Sequence, residues 1–145
     1  MSYTTYDANG QIIATFNGAG AKHNINGLNY IEESHSDLTH YIDVNTKLPI
    51  EKPTKPLSEC HHIWNPITKQ WQIHNTRTAT LMRNKRDKLL LLIDKVGPVW
   101  YACITQVEQI QLGIFRAELL NVPQQGGFPT NIVWPIVPPF LISNK

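Results

Sequence analysis

The side chains best suited to chemistry in this chain are Cys60-His61-His62, with His74 further on and His35 and His40 before them. Cysteine and histidine are soft and borderline metal ligands, and zinc sites usually draw paired ligands two to four residues apart. His61 and His62 are adjacent, so on a strand they point to opposite faces and cannot easily serve one ion. They read as ordinary strand histidines, and the expectation is no metal and no cofactor. Cys103 could act as a nucleophile only beside a base. No histidine follows His74 in the sequence, so Cys103 reads as a core thiol. Gly18-Ala19-Gly20 lacks the third glycine and the following helix of a dinucleotide loop, and reads as a turn. There is no Gly-x-Ser-x-Gly elbow, no phosphate loop ending in Gly-Lys-Ser/Thr and no His-Glu-x-x-His helix. The expectation is a protein that is not an enzyme.

Charge is unevenly spread. Residues 1–68 hold four lysines against seven acids, a net −3, whereas residues 69–95 hold seven Lys or Arg against two Asp, a net +5. The basic stretch includes Lys69, Arg77, Arg83, Lys85, Arg86 and Lys88. It lacks the dense patch or interleaved stacking aromatics of a nucleic-acid surface. A solvated helix face is expected first, and an acidic protein partner second. Arg86 falls on an apolar stripe, which suits pairing with a carboxylate or capping of carbonyls inside the fold.

Positioning these residues requires two kinds of element. A chain of 145 residues, 17% charged and 41% hydrophobic, is globular in composition and long enough for one domain or two small ones. The longest apolar run, Leu89 to Ile93, is far too short for a membrane span. Met1-Ser2-Tyr3-Thr4 has neither the basic nor the hydrophobic region of a signal peptide, so a cytoplasmic location is expected. Cys60 and Cys103 stand far apart and fit no disulfide framework; both are expected as partly buried free thiols.

Residues 1–74 read as successive β-hairpins. Asp7-Ala8-Asn9-Gly10, Asn26-Gly27, Asp43-Val44-Asn45-Thr46 and Asn65-Pro66-Ile67-Thr68 punctuate short β-prone runs. Pro49, Pro53 and Pro56 suggest an extended connector rather than a ladder. Ile12, Ala14 and Phe16 could share one face, as could Ile63, Trp71 and Ile73 across the last hairpin. Sheets this small bury little, so packing on a helix, a second copy or a partner is expected.

From Thr76 the period changes. Ala79, Met82, Arg86, Leu89 and Ile93 recur at helical spacing up to Gly97-Pro98. A second helix opens at Thr105-Gln106-Val107-Glu108, a capping box, and stops at Pro123. Its apolar residues form two sets, Val107, Ile110 and Ile114 on one side and Leu112, Phe115 and Leu119 on the other. The expected fold class is α+β: a small antiparallel β module of hairpins (1–74), then an αα-hairpin with an extended proline and aromatic tail (75–145). Phe128-Pro129 and Trp134-Pro135 place two rings where they could roof the helix pair, a role in which Trp134→Ala would cost about 3–5 kcal/mol. The alternative is that those rings meet a partner.

The second half closely resembles the phage tail assembly chaperone family. There a helix with R-x-x-L-L-x-x-x-D precedes a helix ending in YR-x-x-L-x-x-[IV]-P, followed by Q-x-x-FP-x-N-[IV]-x-WP-x-x-P. Arg86, Leu89, Leu90 and Asp94 match the first pattern, and Phe115-Arg116, Leu119 and Val122-Pro123 the second. Gln125, Phe128-Pro129, Asn131, Ile132, Trp134-Pro135 and Pro138 match the third, and Trp100 falls in the aromatic linker. Phe115 stands where tyrosine is more usual, so a hydroxyl is missing there. The match runs over about residues 80–138.

The resemblance implies a non-enzymatic bacteriophage or prophage protein that helps tail or tail-fibre subunits assemble through protein contacts. Implied partners are phage tail, tail-fibre or baseplate proteins, with a homo-oligomer possible and neither nucleic acid nor membrane involved. The implied place is the host bacterial cytoplasm during assembly. The rival is a structural virion component of the tail tip, baseplate or tail fibre. Arg86, Asp94, Trp100, Arg116, Phe128, Asn131 and Trp134 are the candidate partner-binding or family-motif residues.

Overall fold

The structure, a computed structural model, describes residues 1–143. The fold is α+β, with small antiparallel sheets preceding helices. It divides into two compact units, Met1–Leu57 with His62–Gln72, and Ser58–His61 with Ile73–Lys145.

The first unit begins with β1 (Ser2–Tyr6), which lies between β2 (Ile12–Asn17) and β3 (Asn29–Ile31). Both neighbours are antiparallel to it. As the central strand, β1 is buried from Tyr3 to Tyr6. Its two buried threonine hydroxyls are satisfied: Thr4 donates to the Glu33 carbonyl at 2.7 Å and Thr5 to the Ala14 carbonyl at 3.1 Å. Buried hydroxyls without such partners would be costly. The register slips between Thr5 and Tyr6, so Thr5 faces Ala14 while Tyr6 faces Ile12, leaving Ile13 as an extra residue. One extra residue reverses the alternation. Ile12 therefore joins Tyr6, Ile31 and Ile42 in one cluster, while Phe16 packs on Tyr3, Ala21 and Ile25 in another. The single face expected for Ile12, Ala14 and Phe16 is thus divided in two.

Two further hairpins complete this unit. β4 (His40–Ile42) pairs with β5 (Pro49–Glu51), Ile42 opposite Pro49. The expected connector is therefore partly a strand; Pro49 is tolerated because it is the first residue of a two-stranded edge. β6 (His62–Asn65) pairs with β7 (Gln70–Ile73). Across it the rings of Trp64 and Trp71 meet edge-on at 5.4 Å, and Tyr41 lies 5.6 Å from Trp64. Trp71 thus meets Trp64 rather than the Ile63 expected beside it, and Ile63 and Ile73 are left exposed.

The small sheets supply cover to one another. Gly10 ties the first turn to β4, its carbonyl accepting from the Ile42 N–H at 2.8 Å. Gly10 has φ +80°, and a Cβ there would meet the Ile42 carbonyl oxygen at 1.8 Å. Only glycine satisfies both conditions.

The second unit holds α1 (Asn75–Asp94), α2 (Pro98–Cys103), α3 (Gln106–Asn121) and α4 (Pro139–Ile142). His74 caps α1 through Nδ1, which accepts from the Arg77 N–H at 3.2 Å. Gly97-Pro98 both stops α1 and starts α2, because proline suits a first helical position. The linker expected between two helices is therefore itself a short helix. Cys103 ends it and is exposed rather than part of the core. Cys60 is half-buried.

The core of this unit is Ile93, Leu112, Phe115, Leu119 and Leu141, with Leu89, Leu90, Trp100, Val137 and Phe140 around it. Phe115 is 2% exposed, so the ring where the family more often has tyrosine is fully used in packing. Trp100 stacks on Phe140 at 6.3 Å. The roof over the helices is thus built from Val137 to Leu141, not from the two rings expected to form it.

Candidate functional site

Local chemistry fixes the ends of α3. The Thr105 hydroxyl accepts from the Glu108 N–H at 3.2 Å, and the Glu108 carboxylate accepts from the Thr105 N–H at 2.7 Å. At the other end Val122 is fully buried in a short 3-10 turn containing Pro123. The helix held between these stops has opposite apolar faces. Leu112, Phe115 and Leu119 face the core, whereas Val107, Ile110 and Ile114 are 65%, 57% and 54% exposed. Successive residues turn by a 3.6-residue period, so the second set lies roughly opposite the first. The unit leaves this second face bare.

A cleft of about 430 Å³ opens beside that face. Ile93, Val96, Pro98, Tyr101, Leu112 and Gly113 supply its walls, and Arg116 its charge. The Gln109 amide, also at the cleft, already donates to the Tyr101 carbonyl at 3.1 Å. Arg116 is exposed and makes no ion pair or hydrogen bond with another described residue. Asp94 is exposed and lines a different cleft, beside Asn84, Asp87 and Leu91. Two charged motif residues that could have paired are therefore separate.

The remaining candidates divide between α1, the core and the tail. The Arg86 guanidinium binds the Asp87 carboxylate, Nε at 2.8 Å and Nη2 at 2.6 Å. Arg83 lies 5.2 Å over the Phe128 ring, and Lys85 Nζ lies 4.6 Å over the Trp134 ring. Lys85 also reaches the Glu59 carboxylate at 2.5 Å. Cations are attracted to the negative faces of such rings. Two charges of the basic stretch are thus engaged with the aromatic tail.

Between those rings the chain turns sharply. The Gly127 carbonyl accepts the N–H of Thr130 at 3.0 Å and of Asn131 at 2.7 Å. A Cβ on Gly127 would meet the Asn131 carbonyl oxygen at 2.0 Å. Phe128-Pro129 is a cis peptide. Gln125 then clasps the returning chain, its Nε2 donating to the Val133 carbonyl at 2.9 Å and its Oε1 accepting the Val133 N–H at 2.8 Å. Asn131 itself is exposed within the turn. The string from Gln125 to Trp134 is a built loop, held by side-chain imitation of a ladder.

Residues 79–139 match the model of the phage tail assembly chaperone protein family. That span begins in the first turns of α1 and ends at the first residue of α4. It takes in the helix pair, the cleft, the bare face of α3 and the glutamine-clasped loop. The match supports a role in phage tail assembly. No curated protein and no solved structure matches the chain.

The structure brings Phe128 and Trp134 against α1 cations, and Trp100 against the core. It leaves Arg116 and Asp94 outward on separate clefts, and Arg86 on its own neighbour. Sequence reasoning did not single out Phe140, Val137 and Leu141, the residues that close the core; their apolar spacing after Pro135 was the available signal. Gln125 was matched but given no role, because its partner is a backbone eight positions away. Among the described residues no three His, Cys, Asp or Glu side chains gather as a metal site, and no helix is long and apolar enough to cross a membrane.

Proposed function

We propose that this chain is a non-enzymatic tail assembly protein of a phage or prophage, acting by contact with tail or tail-fibre subunits in the host cytoplasm. The observation that carries this reading is the bare apolar face of α3, with Val107, Ile110 and Ile114 more than half exposed inside the family-matched span. Contiguous apolar surface on a folded protein marks a contact site. A factor bearing it can cover the apolar or strand-edge surface of an unassembled subunit that would otherwise aggregate.

This placement shifts the working surface among the candidate residues. Arg116 borders the cleft beside the bare face and is assigned to contact with the client. Trp100, Phe128, Asn131 and Trp134 are assigned to holding the helices and loop, and Asp94 and the Arg86–Asp87 pair to an outer rim of α1.

A second reading has its own support. The first unit exposes β2 and β3 as sheet edges, and strand addition at such edges is a common docking mode. Under that reading the chain is a component of the tail tip, baseplate or fibre. Affinity purification of the chain from infected cells, paired with mass spectrometry of purified virions, tests both. Tail proteins in the eluate with the chain missing from virions supports the transient factor. Stoichiometric retention in virions supports the component, and an eluate without tail proteins rejects both.

A further inference from the structure

Arg116 is the one charged residue lining this cleft, whose other polar groups are the Gln109 amide and the Tyr101 hydroxyl. No carboxylate lines that cleft. The acids of the neighbouring helices are engaged or placed elsewhere: Glu108 is held in the capping box, Glu118 borders clefts beside Ile136, and Asp94 borders one on α1. A guanidinium fork matches a carboxylate in two parallel hydrogen bonds. A volume of about 430 Å³ lies in the range of sites that bury apolar groups around a few polar ones.

The walls decide which carboxylate fits. They come mainly from helical segments, whose interior N–H groups are already used by their own carbonyls. A terminal carboxylate is generally caught by several converging backbone N–H groups, whereas the backbone donors at this cleft are those at the start of the six-residue α2 and its one cation is Arg116. Gly113 lines the cleft, stands one helical turn from Ile110 on the surface of α3, and has nothing within 4 Å of where its Cβ would stand. A segment seated in the cleft can therefore continue over Ile110.

Resting on the tail-assembly reading, we infer that this cleft holds an internal amphipathic segment of a client chain, an apolar side chain between α1, α2 and α3 and a side-chain carboxylate on Arg116. The occupant is recognised by one charge and one apolar anchor a helical turn apart. Its further apolar residues cover the stripe on α3.

The test uses the full chain and fluorescein-labelled, amidated helical peptides in which Leu, Phe or Trp precedes Glu by one helical turn. Matched peptides carry Gln in place of Glu, and a third set has no Glu but a free terminal carboxylate. Fluorescence polarisation is expected to show the Glu peptides bound about tenfold tighter than the Gln peptides. Arg116→Gln is expected to erase that difference. Gly113→Leu, which fills open space at a helical position, is expected to weaken both sets, with circular dichroism confirming that it folds. The inference is overturned if no Glu peptide binds, if Arg116→Gln keeps the Glu preference, or if the free-carboxylate peptides bind best. Its failure is separable from that of the broader reading: Arg116→Gln recovering tail proteins from infected cells as well as the parent does would sink the cleft assignment alone. A parent chain recovering none would sink tail assembly instead.

Discussion

The side chain of Gln125 takes both backbone hydrogen bonds of Val133, donating at 2.9 Å and accepting at 2.8 Å. A glutamine amide sets an N–H donor beside a carbonyl acceptor in a single plane, and a residue in an extended chain presents the complementary pair. This clasp closes the loop containing Phe128 and Asn131, so the spacing between the motif's glutamine and tryptophan has a mechanical meaning. Gln125→Ala is expected to lower the stability of the helical unit by about 1–2 kcal/mol in urea unfolding. Gln125→Glu is expected to be worse than alanine at neutral pH, because a carboxylate oxygen would then face the Val133 carbonyl. Equal midpoints for parent and alanine variant would show that the clasp contributes nothing.

Two glycines of the second unit should respond in opposite directions. Gly127→Ala must push back the Asn131 carbonyl oxygen, which stands 2.0 Å from the new methyl position, and is expected to destabilise by about 1–3 kcal/mol. Gly113 lies within α3 with open space around it, so Gly113→Ala is expected to stabilise by about 0.5–1 kcal/mol. Thermal unfolding of the two single variants reads both signs.

Trp134 and Leu119 divide the packing unequally. Leu119 is fully buried at the centre of the core, and Leu119→Ala is expected to cost about 3–5 kcal/mol. Trp134 is only half-buried and borders two clefts, with Lys85 on its ring. Trp134→Ala is therefore expected to cost less than Leu119→Ala, below the core-ring loss that its sequence setting suggests. A larger loss at Trp134 in chemical denaturation would restore that ring to the core.

Asp43 should titrate below its ordinary value of 3.8, because its carboxylate accepts the N–H groups of Asn45 at 2.8 Å and Thr46 at 3.2 Å. Those bonds favour the charged form. Lowering the folded-state value gives stability that is present above pH 3.8 and lost as pH falls through the lower folded value. Carbon-detected NMR titration is expected to place the Asp43 midpoint below 3.8, and Asp43→Asn to remove its share of the acid-side loss. A midpoint at or above 3.8 would contradict the turn geometry.

Much of this protein is set by local chemistry, and there the sequence alone was sufficient. The turn residues Asn9-Gly10, Asp43 to Thr46 and Asn65 to Thr68 define the hairpins, since positive φ and side-chain-to-backbone bonds are decided within a few residues. The capping box at Thr105 and the stops at Gly97-Pro98 and Pro123 bound the helices for the same reason. The α+β class and the family signature follow from those local facts. Strand registers, in contrast, are choices among distant backbones. The extra residue at Ile13 reversed a face, and Pro49 took a place in the ladder opposite Ile42 although it has no N–H to give.

Tertiary structure alone decided which aromatic groups close the core and which surface stays bare. Composition ranks Trp134 and Phe128 as the natural roof, yet Phe140 and Leu141 reach Trp100 and Leu119 because the Gln125 clasp and the Gly127 pinch redirect the chain before it returns. Helical periodicity announced two apolar faces on α3 without saying which would be covered. Burial is a property of what lies opposite in space, and a single chain's spacing carries no record of it.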